Sequence, residues 1–477
     1  MSSDFRPQEH ELGVGRARVR DTVVGMLEAA RPAGSPASSA RAGAANPEFT
    51  TGYTNYVLGI LFLVYVMNFV DRQILSILVE PIKASLDASD TQMGFLTGFA
   101  FAIFYTTFGI PLARWADRGV RRSIIAMGLT VWSVMTGLCG FAQSFIHLAL
   151  ARIGVGIGEA AGSPPAHSLI SDFFPPERRA TAFSIYNFGI PVGVMGGYLA
   201  GGWIREFFDW RVAFFAAAIP GLILALILRF TVREPPRGMS EPTPVDVEGE
   251  VPFGEVVRML MGMKTFVFLS VGSGFAAFAS YGFGSWVPAF LERSHGMGGG
   301  EIGTWIGLES GIGGVLGMLG TGLLADRLGR RDPRWYPWIA AISILLYVPF
   351  SAAFLLLDEA VPALIAYFVP TALSSVYLAP SLALMHQLVG LRMRAVASAV
   401  SMFLLNLIGM GLGPQTVGIL SDWLSDDYGV ESLRYGLLIA LSTKLIAVVL
   451  FLMAAKNTAP SPIGGNDFER FLHSSPT

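Results

Sequence analysis

Four ionisable side chains stand inside stretches that are otherwise apolar. The run YVMNFVDRQILSILVEP places Asp71 and Arg72 in one such stretch, and ALARIGVGIGEAAGSPPAHSLISDFFP places Arg152 and Glu159 in another. Facing lipid, any of them would cost several kcal/mol, so a protein interior or a water-filled cavity is their default setting. Arg152 and Glu159 are seven residues apart, which on a helix gives nearly the same face and a separation of roughly 10 Å. Two carboxylates and two guanidiniums around one cavity can trade a proton for an anion: burial favours a protonated carboxyl, a nearby guanidinium favours the carboxylate, and an anionic ligand competes for the guanidinium. The competing reading is a structural pairing of the four charges with no further role.

The elements that must position these charges are membrane helices. Hydrophobic residues make up 52% of the 477 positions and charged residues 14%, with a mean hydropathy of +0.54; soluble domains carry roughly one-quarter charged residues. Apolar stretches long enough to span a bilayer fall near 54–79, 92–113, 123–142, 147–173, 181–203 and 211–230, and again near 265–291, 302–325, 335–357, 362–389, 396–420 and 433–455. The formal charge of −2 says little about partners. A single cysteine, Cys139, excludes an intramolecular disulfide and a thiolate metal cluster. No G-x-x-x-x-G-K-[ST] occurs, which argues against an ATP-driven pump carrying its own nucleotide domain. No zinc-binding pair or nucleophile motif occurs at usable spacing either. The expectation is a protein that is not an enzyme, with no cofactor, no metal and no nucleic-acid partner.

A second pattern organises the whole chain. The stretch GLLADRLGRR, Gly322 to Arg331, has the form G-x-x-x-D-R-x-G-R-R. A weaker copy, ARWADRGVRR, runs from Ala113 to Arg122, with alanine in place of the leading glycine and Gly119 one position early. Their aspartates, Asp117 and Asp326, are 209 residues apart, the length of about six membrane helices with their loops. The fold class expected is an all-α membrane protein with twelve transmembrane helices in two pseudo-symmetric six-helix bundles. Residues 51–233 form the first bundle and 265–457 the second. Residues 1–50 are expected to be a disordered cytoplasmic tail, 458–477 a cytoplasmic C-terminal tail, and 234–264 a cytoplasmic linker. In that linker Phe253, Val256, Val257, Leu260 and Met261 recur at the spacing of an amphipathic helix on the inner surface.

Each signature reads as a tight loop in which Gly329 makes the turn and arginines hold the loop in the cytoplasm. Fifteen arginines fall on that side, against Lys83, Arg205, Arg211, Arg293 and Arg434 on the other, so the chain is expected in the cell (inner) membrane, multi-pass, with both termini cytoplasmic. An aspartate at a helix end can hold an arginine or a helix N-terminus in one of two states only. The expected gating residues are therefore Asp117, Arg118, Arg121 and Arg122 in the first copy and Asp326, Arg327, Arg330 and Arg331 in the second.

The duplicated signature resembles that of the major facilitator superfamily over roughly residues 53–457. The runs NFVDRQ, ARIGVGIGEAAGSPPAHSLISDFFPPERRA and YGFGSWVPAFLERSHGM resemble its spinster branch, proposed carriers of lysolipids and sphingoid lipids. By that resemblance Asp71 and Glu159 are proton-coupling residues and Arg72 and Arg152 bind a headgroup. It also implies that the first, fourth, seventh and tenth helices line the cavity and that the second, fifth, eighth and eleventh form the contact between halves. The seventh stretch then brings Phe275, Phe278, Tyr281, Phe283 and Trp286 and the tenth Tyr367, Phe368 and Tyr377, an aromatic wall opposite a charged one. Tyr281, Trp286 and Tyr377 join the arginines as expected substrate contacts. Glu309, His167 and His386 are weaker candidates, His386 as a hydrogen-bonded structural residue.

The expected function is proton-coupled transport of an amphiphilic, lysolipid or sphingoid-type substrate by alternating access, by a monomer whose partners are that substrate, protons and the bilayer. One rival is a proton-coupled symporter of small organic anions such as sugar acids, since related organic-anion symporters share the Asp-Arg pair. A rival of another class is a non-transporting receptor or a channel.

Overall fold

The structure is a computed structural model that describes residues 49–240, 253–389 and 393–458. The expected N-terminal tail as far as 48, the linker stretch 241–252, the loop residue Arg392 and the C-terminal tail from 459 lie outside the described residues. The chain divides into two compact units, Met1–Tyr53 and Thr54–Thr477. In the first, the rings of Phe49 and Tyr53 stack at 5.4 Å and Thr50 Oγ1 accepts from the Tyr53 N–H at 3.3 Å, capping a helix start. All other described residues belong to the second unit.

Every regular element among the described residues is a helix. Eleven helices are long and apolar enough to cross a membrane: α1 (Thr51–Ile77), α2 (Asp90–Arg118), α3 (Arg121–Gly140), α4 (Phe145–Phe173), α6 (Trp210–Thr231), α7 (Lys264–His295), α8 (Gly299–Gly329), α9 (Trp335–Leu356), α10 (Ala360–Leu388), α11 (Arg394–Trp423) and α12 (Ser425–Asn457). The remaining position in the order of twelve is α5 (Gly189–Phe207). Its glycines, with Arg205 and Glu206, lower its hydropathy, while its 19 residues still reach roughly 28 Å. Side chains such as Phe230, 79% exposed, and Leu323, 73% exposed, form the outer surface that a bilayer would cover.

Interruptions fall where the sequence supplies them. α4 breaks at 160–162, immediately after Glu159, and restarts at Ser163 with Pro164 and Pro165 in its first turn, where a missing N–H costs nothing. α10 opens at 374–377, shortly after Pro370. α2 and α11 each contain a π-helical stretch, Phe95–Phe99 and Asn406–Leu412, the kind of bulge found most often at functional sites.

The contacts expected between halves are present. α5 lies against α8 so closely that a Cβ on Gly202 would stand 2.5 Å from the Gly299 carbonyl oxygen and 2.8 Å from Gly303 Cα. α2 meets α11 in the same manner, a Cβ on Gly98 falling 2.8 Å from the Gly411 carbonyl oxygen. Only glycine lets two backbones approach this far. The helix Phe253–Gly262 forms at the amphipathic stretch, and it buries Val256 and Leu260 in a cluster with Phe266, Leu384, Met385 and Met393. Val257 stays partly exposed and Met261 is 49% exposed, so the apolar face is only partly covered by the protein.

Candidate functional site

The residues singled out in the first and fourth spans come together. Arg72 Nε of α1 donates to Glu159 Oε2 of α4 at 2.8 Å, with the carboxylate side chain fully buried and the guanidinium 15% exposed. The Arg72 guanidinium carbon lies 5.1 Å from the ring centre of Phe69, 4.8 Å from Phe101 and 5.0 Å from Tyr105. Aromatic faces attract a cation and leave its in-plane N–H groups free for an anion. Arg152, also buried, sits over the same Phe101 at 5.5 Å, so one ring contacts both guanidiniums.

Asp71, next in sequence to Arg72, turns the other way. It is buried among Arg152, Glu159 and the α3 side chains Trp132 and Thr136, which are its nearest hydrogen-bond donors, yet neither of its oxygens makes an ion pair or a hydrogen bond of normal geometry with a described residue. Arg152 Nε and Glu159 Oε1 are likewise unpartnered. The two carboxylates and two guanidiniums balance in charge, but one ion pair alone is drawn among them. The position of Glu159 follows from local sequence, since the GSPP break ends the helix directly after it and the two-turn spacing from Arg152 turns both inward.

From the other half, α11 brings Met410 Sδ to 4.0 Å from Arg72 Nη1, and α7 brings Tyr281, 36% exposed, within electrostatic reach of Arg72 and Tyr105. Tyr377 lies within electrostatic reach of Tyr281, buried, with its ring 6.5 Å from Phe451. Trp286 is not brought to this place. It is completely buried, donates from Nε1 to the Pro414 carbonyl at 2.9 Å and underlies the Arg293 guanidinium. The expected aromatic wall is mostly packing: Phe283 meets Tyr347 edge-on at 6.2 Å and Tyr367 meets Phe354 at 4.6 Å, all four buried. Helix spacing marks a face as apolar without saying whether a cavity or another helix covers it.

The two signatures part company. In the first copy Arg121 is nearly inaccessible, paired with Asp172, with Glu234 at 2.7 Å and with the Pro235 carbonyl at 3.0 Å. Arg122 donates to the Val232 carbonyl at 2.7 Å. The first residues of the expected linker are thus docked on this loop. Asp117 and Arg118 are exposed, and in the second copy Asp326, Arg327, Arg330 and Arg331 are all exposed. The one-state bond expected of Asp326 is not made to any described residue in this conformation. Gly329 does not make the turn, since its φ is not positive; it ends α8, and a Cβ there would strike the Tyr336 ring.

Sequence reasoning passed over the opposite end of the molecule, where charges are sparse. Arg293 of α7 donates to Glu80 at 2.6 and 2.9 Å and to both oxygens of Asp90 at 2.6 and 2.7 Å. Lys83 joins Asp90 at 2.6 Å, and Asp422 of α11 accepts from the Asp90 and Thr91 N–H groups at 3.0 and 2.7 Å. Arg205 reaches Glu292 at 2.5 Å. Among the described residues, the ion pairs that join α1–α6 to α7–α12 lie at this end. The few acids and bases flanking those spans were the available signal.

Lys444 was also passed over, although the rule that picked out Asp71 applies to it. Within the apolar α12 it is 1% exposed, with Nζ 2.9 Å from Ser280 Oγ, 3.2 Å from the Ala276 carbonyl oxygen and 3.7 Å from the centre of the Tyr347 ring. Glu309 is buried with Oε2 unpartnered, His167 packs edge-on to Phe183 and Tyr186, and His386 pairs with Ser398 Oγ at 2.7 Å. No group of three or more His, Cys, Asp or Glu arranged to hold a metal is present among the described residues.

Comparison with known proteins places this geometry. The profile of the Major Facilitator Superfamily matches residues 61–414. An MFS-type efflux pump of Mycolicibacterium smegmatis is 37% identical over 399 residues, 83% of this chain and 92% of that protein. Protein spinster homolog 1 of Xenopus tropicalis is 28% identical over 420 residues, 83% of this chain and 79% of that protein. Among solved structures, a bacterial homolog to the human lysosomal transporter spinster, in an inward-facing and unoccupied conformation, superposes with a TM-score of 0.79 at 31% identity, covering 86% of this chain and 98% of that one.

Proposed function

The chain belongs to the Major Facilitator Superfamily, and we propose that this transporter moves an amphiphilic anion of the lysolipid or sphingoid type, coupled to protons, by alternating access. The observation that carries the reading is the incompletely paired cluster: Asp71 and Arg152 are buried side by side with unpartnered polar atoms, next to the single bonded pair Arg72–Glu159. Buried polar groups are normally satisfied, and exceptions concentrate where chemistry occurs. Arg72 and Arg152 take the anionic head, Tyr281 contributes from the opposite half, and Asp71 and Glu159 exchange the proton. An incoming head draws the guanidiniums away from the carboxylates, which favours protonation; a proton on either carboxylate releases an arginine for the ligand. Trp286 has no part in this scheme and the buried Tyr377 stands near Tyr281.

The arginine asymmetry favours a cytoplasmic signature side, with the protein in the inner membrane and both termini in the cytoplasm. The Arg293 end then faces outward and is shut, and the cavity opens inward. Residues 51–233 and 265–457 act as the two bundles, 234–264 as their linker, and the monomer as the working unit. Asp117, Arg118, Asp326, Arg327, Arg330 and Arg331 re-engage when the inner side closes, while Arg121 and Arg122 anchor the linker.

Competition in proteoliposomes tests the assignment. Saturable flux of a fluorescent lysolipid, stimulated by a pH gradient and displaced by sphingoid phosphates, is the expected result. Displacement by sugar acids but not by lysolipids would make the substrate a small organic anion. No flux of either class would leave a receptor.

A further inference from the structure

We propose that Lys444 is a second proton-binding site, in the half of the protein away from Asp71 and Glu159, and that its proton is read by the interruption of α10 through Ser280. The inference goes beyond the function proposed above and does not depend on the roles given to the two carboxylates.

The groups facing Nζ can be named for each helix packed against α12. From α7 come the Ala276 carbonyl and Ser280, and from α9 the Tyr347 ring, with Tyr377 of α10 behind it. α11 contributes no charged or titratable group at this level, and no carboxylate faces the amine from any described element. An intramembrane ammonium usually pairs with an acid or lines an ion path. Lys444 has no counter-charge, so it can bind or release its proton without breaking an ion pair.

Both protonation states find partners. As an ammonium, Nζ donates to Ser280 Oγ and to the Ala276 carbonyl and presents its charge to the Tyr347 face, while the Ser280 hydroxyl donates to the Ser374 carbonyl at 3.1 Å. As a neutral amine, Nζ offers a lone pair, and the Ser280 hydroxyl turns to donate to it and leaves Ser374. Ser374 opens the non-helical stretch 374–377 of α10, and its own hydroxyl bonds the Thr371 carbonyl at 3.0 Å. The next residue after Ser280 is Tyr281, which looks across at Arg72. The proton has an exit: Ser280, partly exposed, accepts the ammonium proton and passes its own hydroxyl proton to cavity water, leaving an amine, an intact hydroxyl and a hydronium ion.

The chain has four lysines, Lys83, Lys264, Lys444 and Lys456, so nitrogen-15 NMR can read this one alone. In the variant K83R/K264R/K456R, labelled at lysine Nζ and held in nanodiscs, the remaining signal belongs to Lys444 without any change at that residue. The expected result is a titration between ammonium and amine positions within about pH 5 to pH 10, with its midpoint moved by Ser280→Ala. A signal fixed at one position across that range, or a midpoint indifferent to Ser280→Ala, overturns the proposal. A second readout uses spin labels on α7 and α10: Lys444→Arg, which keeps its charge, should remove the pH-dependent part of the distance change, and retention of that part overturns the link to α10. Loss of proton coupling in Asp71 or Glu159 variants leaves these outcomes unaffected, so the two assignments fail separately.

Discussion

Arg72 and Glu159 stand 87 residues apart in the chain and meet at 2.8 Å between α1 and α4, with the guanidinium enclosed by Phe69, Phe101 and Tyr105. One of the four Glu159 and Asp71 oxygens is bonded and the other three are not. A pair of this kind is expensive to bury and, as a purely stabilising device, is often matched by well-packed apolar residues. Its value here lies in what the unbonded atoms can accept.

Neutral mimics of the two carboxylates should uncouple transport. Glu159→Gln and Asp71→Asn keep shape and lose the proton site, so pH-gradient-driven accumulation in proteoliposomes should fall by at least about tenfold, a loss of about 1.4 kcal/mol in driving free energy. Downhill exchange should persist. If the double variant still concentrates substrate with wild-type pH dependence, the proton is carried elsewhere, and Glu309 and His167 become the residues to test.

Replacing Arg72 or Arg152 by Lys preserves charge but removes the planar fork and its stacking on Phe101. Affinity for phosphate-headed amphiphiles should drop about ten- to a hundredfold, measured by competition binding, and neutral amphiphiles should be affected less. Equal weakening of both ligand classes would argue against headgroup recognition.

Arg293 should act as the latch of the closed end, since it alone contacts both Glu80 and Asp90 across the halves. Arg293→Ala removes several charge-assisted hydrogen bonds in a setting only 12% exposed, and should shift the conformational equilibrium about tenfold or more toward opening at this end. Asp90 keeps Lys83 and should not be left stranded. Distances between labels near Lys83 and Arg434 would report the change, and an unaltered distribution would reduce Arg293 to a structural pair.

Asp326 makes no bond to a described residue in the present conformation, so Asp326→Asn should leave the stability of this state untouched and penalise the other. The label distances between the signature ends of α2 and α8 should move toward the open form at every pH, with folded yield unchanged. A variant that loses folded yield instead would give Asp326 a structural duty that its exposure does not indicate.

Close approach offers a steric test of the sliding surfaces. Gly202→Ala places a methyl against the backbone of Gly299 and Gly303, where backbone cannot yield as a side-chain tip can. Thermal stability in detergent should fall by a few degrees and the Arg293 end should loosen. Gly284→Ala, whose Cβ meets nothing within 4 Å, serves as the control and should change neither.

Some of this protein follows from the chain alone. Apolar run length sets the number of spans because a bilayer has a fixed thickness, and the repeated D-R-x-x-R-R pattern divides them into two sets. Asp71, Arg72, Arg152 and Glu159 are legible because an ionisable residue in an apolar run has few places to be, and the two-turn spacing turns Arg152 and Glu159 to one side. Tertiary packing alone decided the rest. It chose Glu159, not Asp71, as the partner of Arg72, buried Trp286, Phe283 and Tyr367 between helices while leaving Tyr281 facing the arginine, and drew Glu80, Asp90, Arg293 and Asp422 from distant positions into one lock. Helical period says which side of a helix a residue occupies, but what lies on that side is set by neighbours hundreds of residues away. Gly329, legible as a glycine with a purpose, serves the approach of the nearby Tyr336 ring and not a turn.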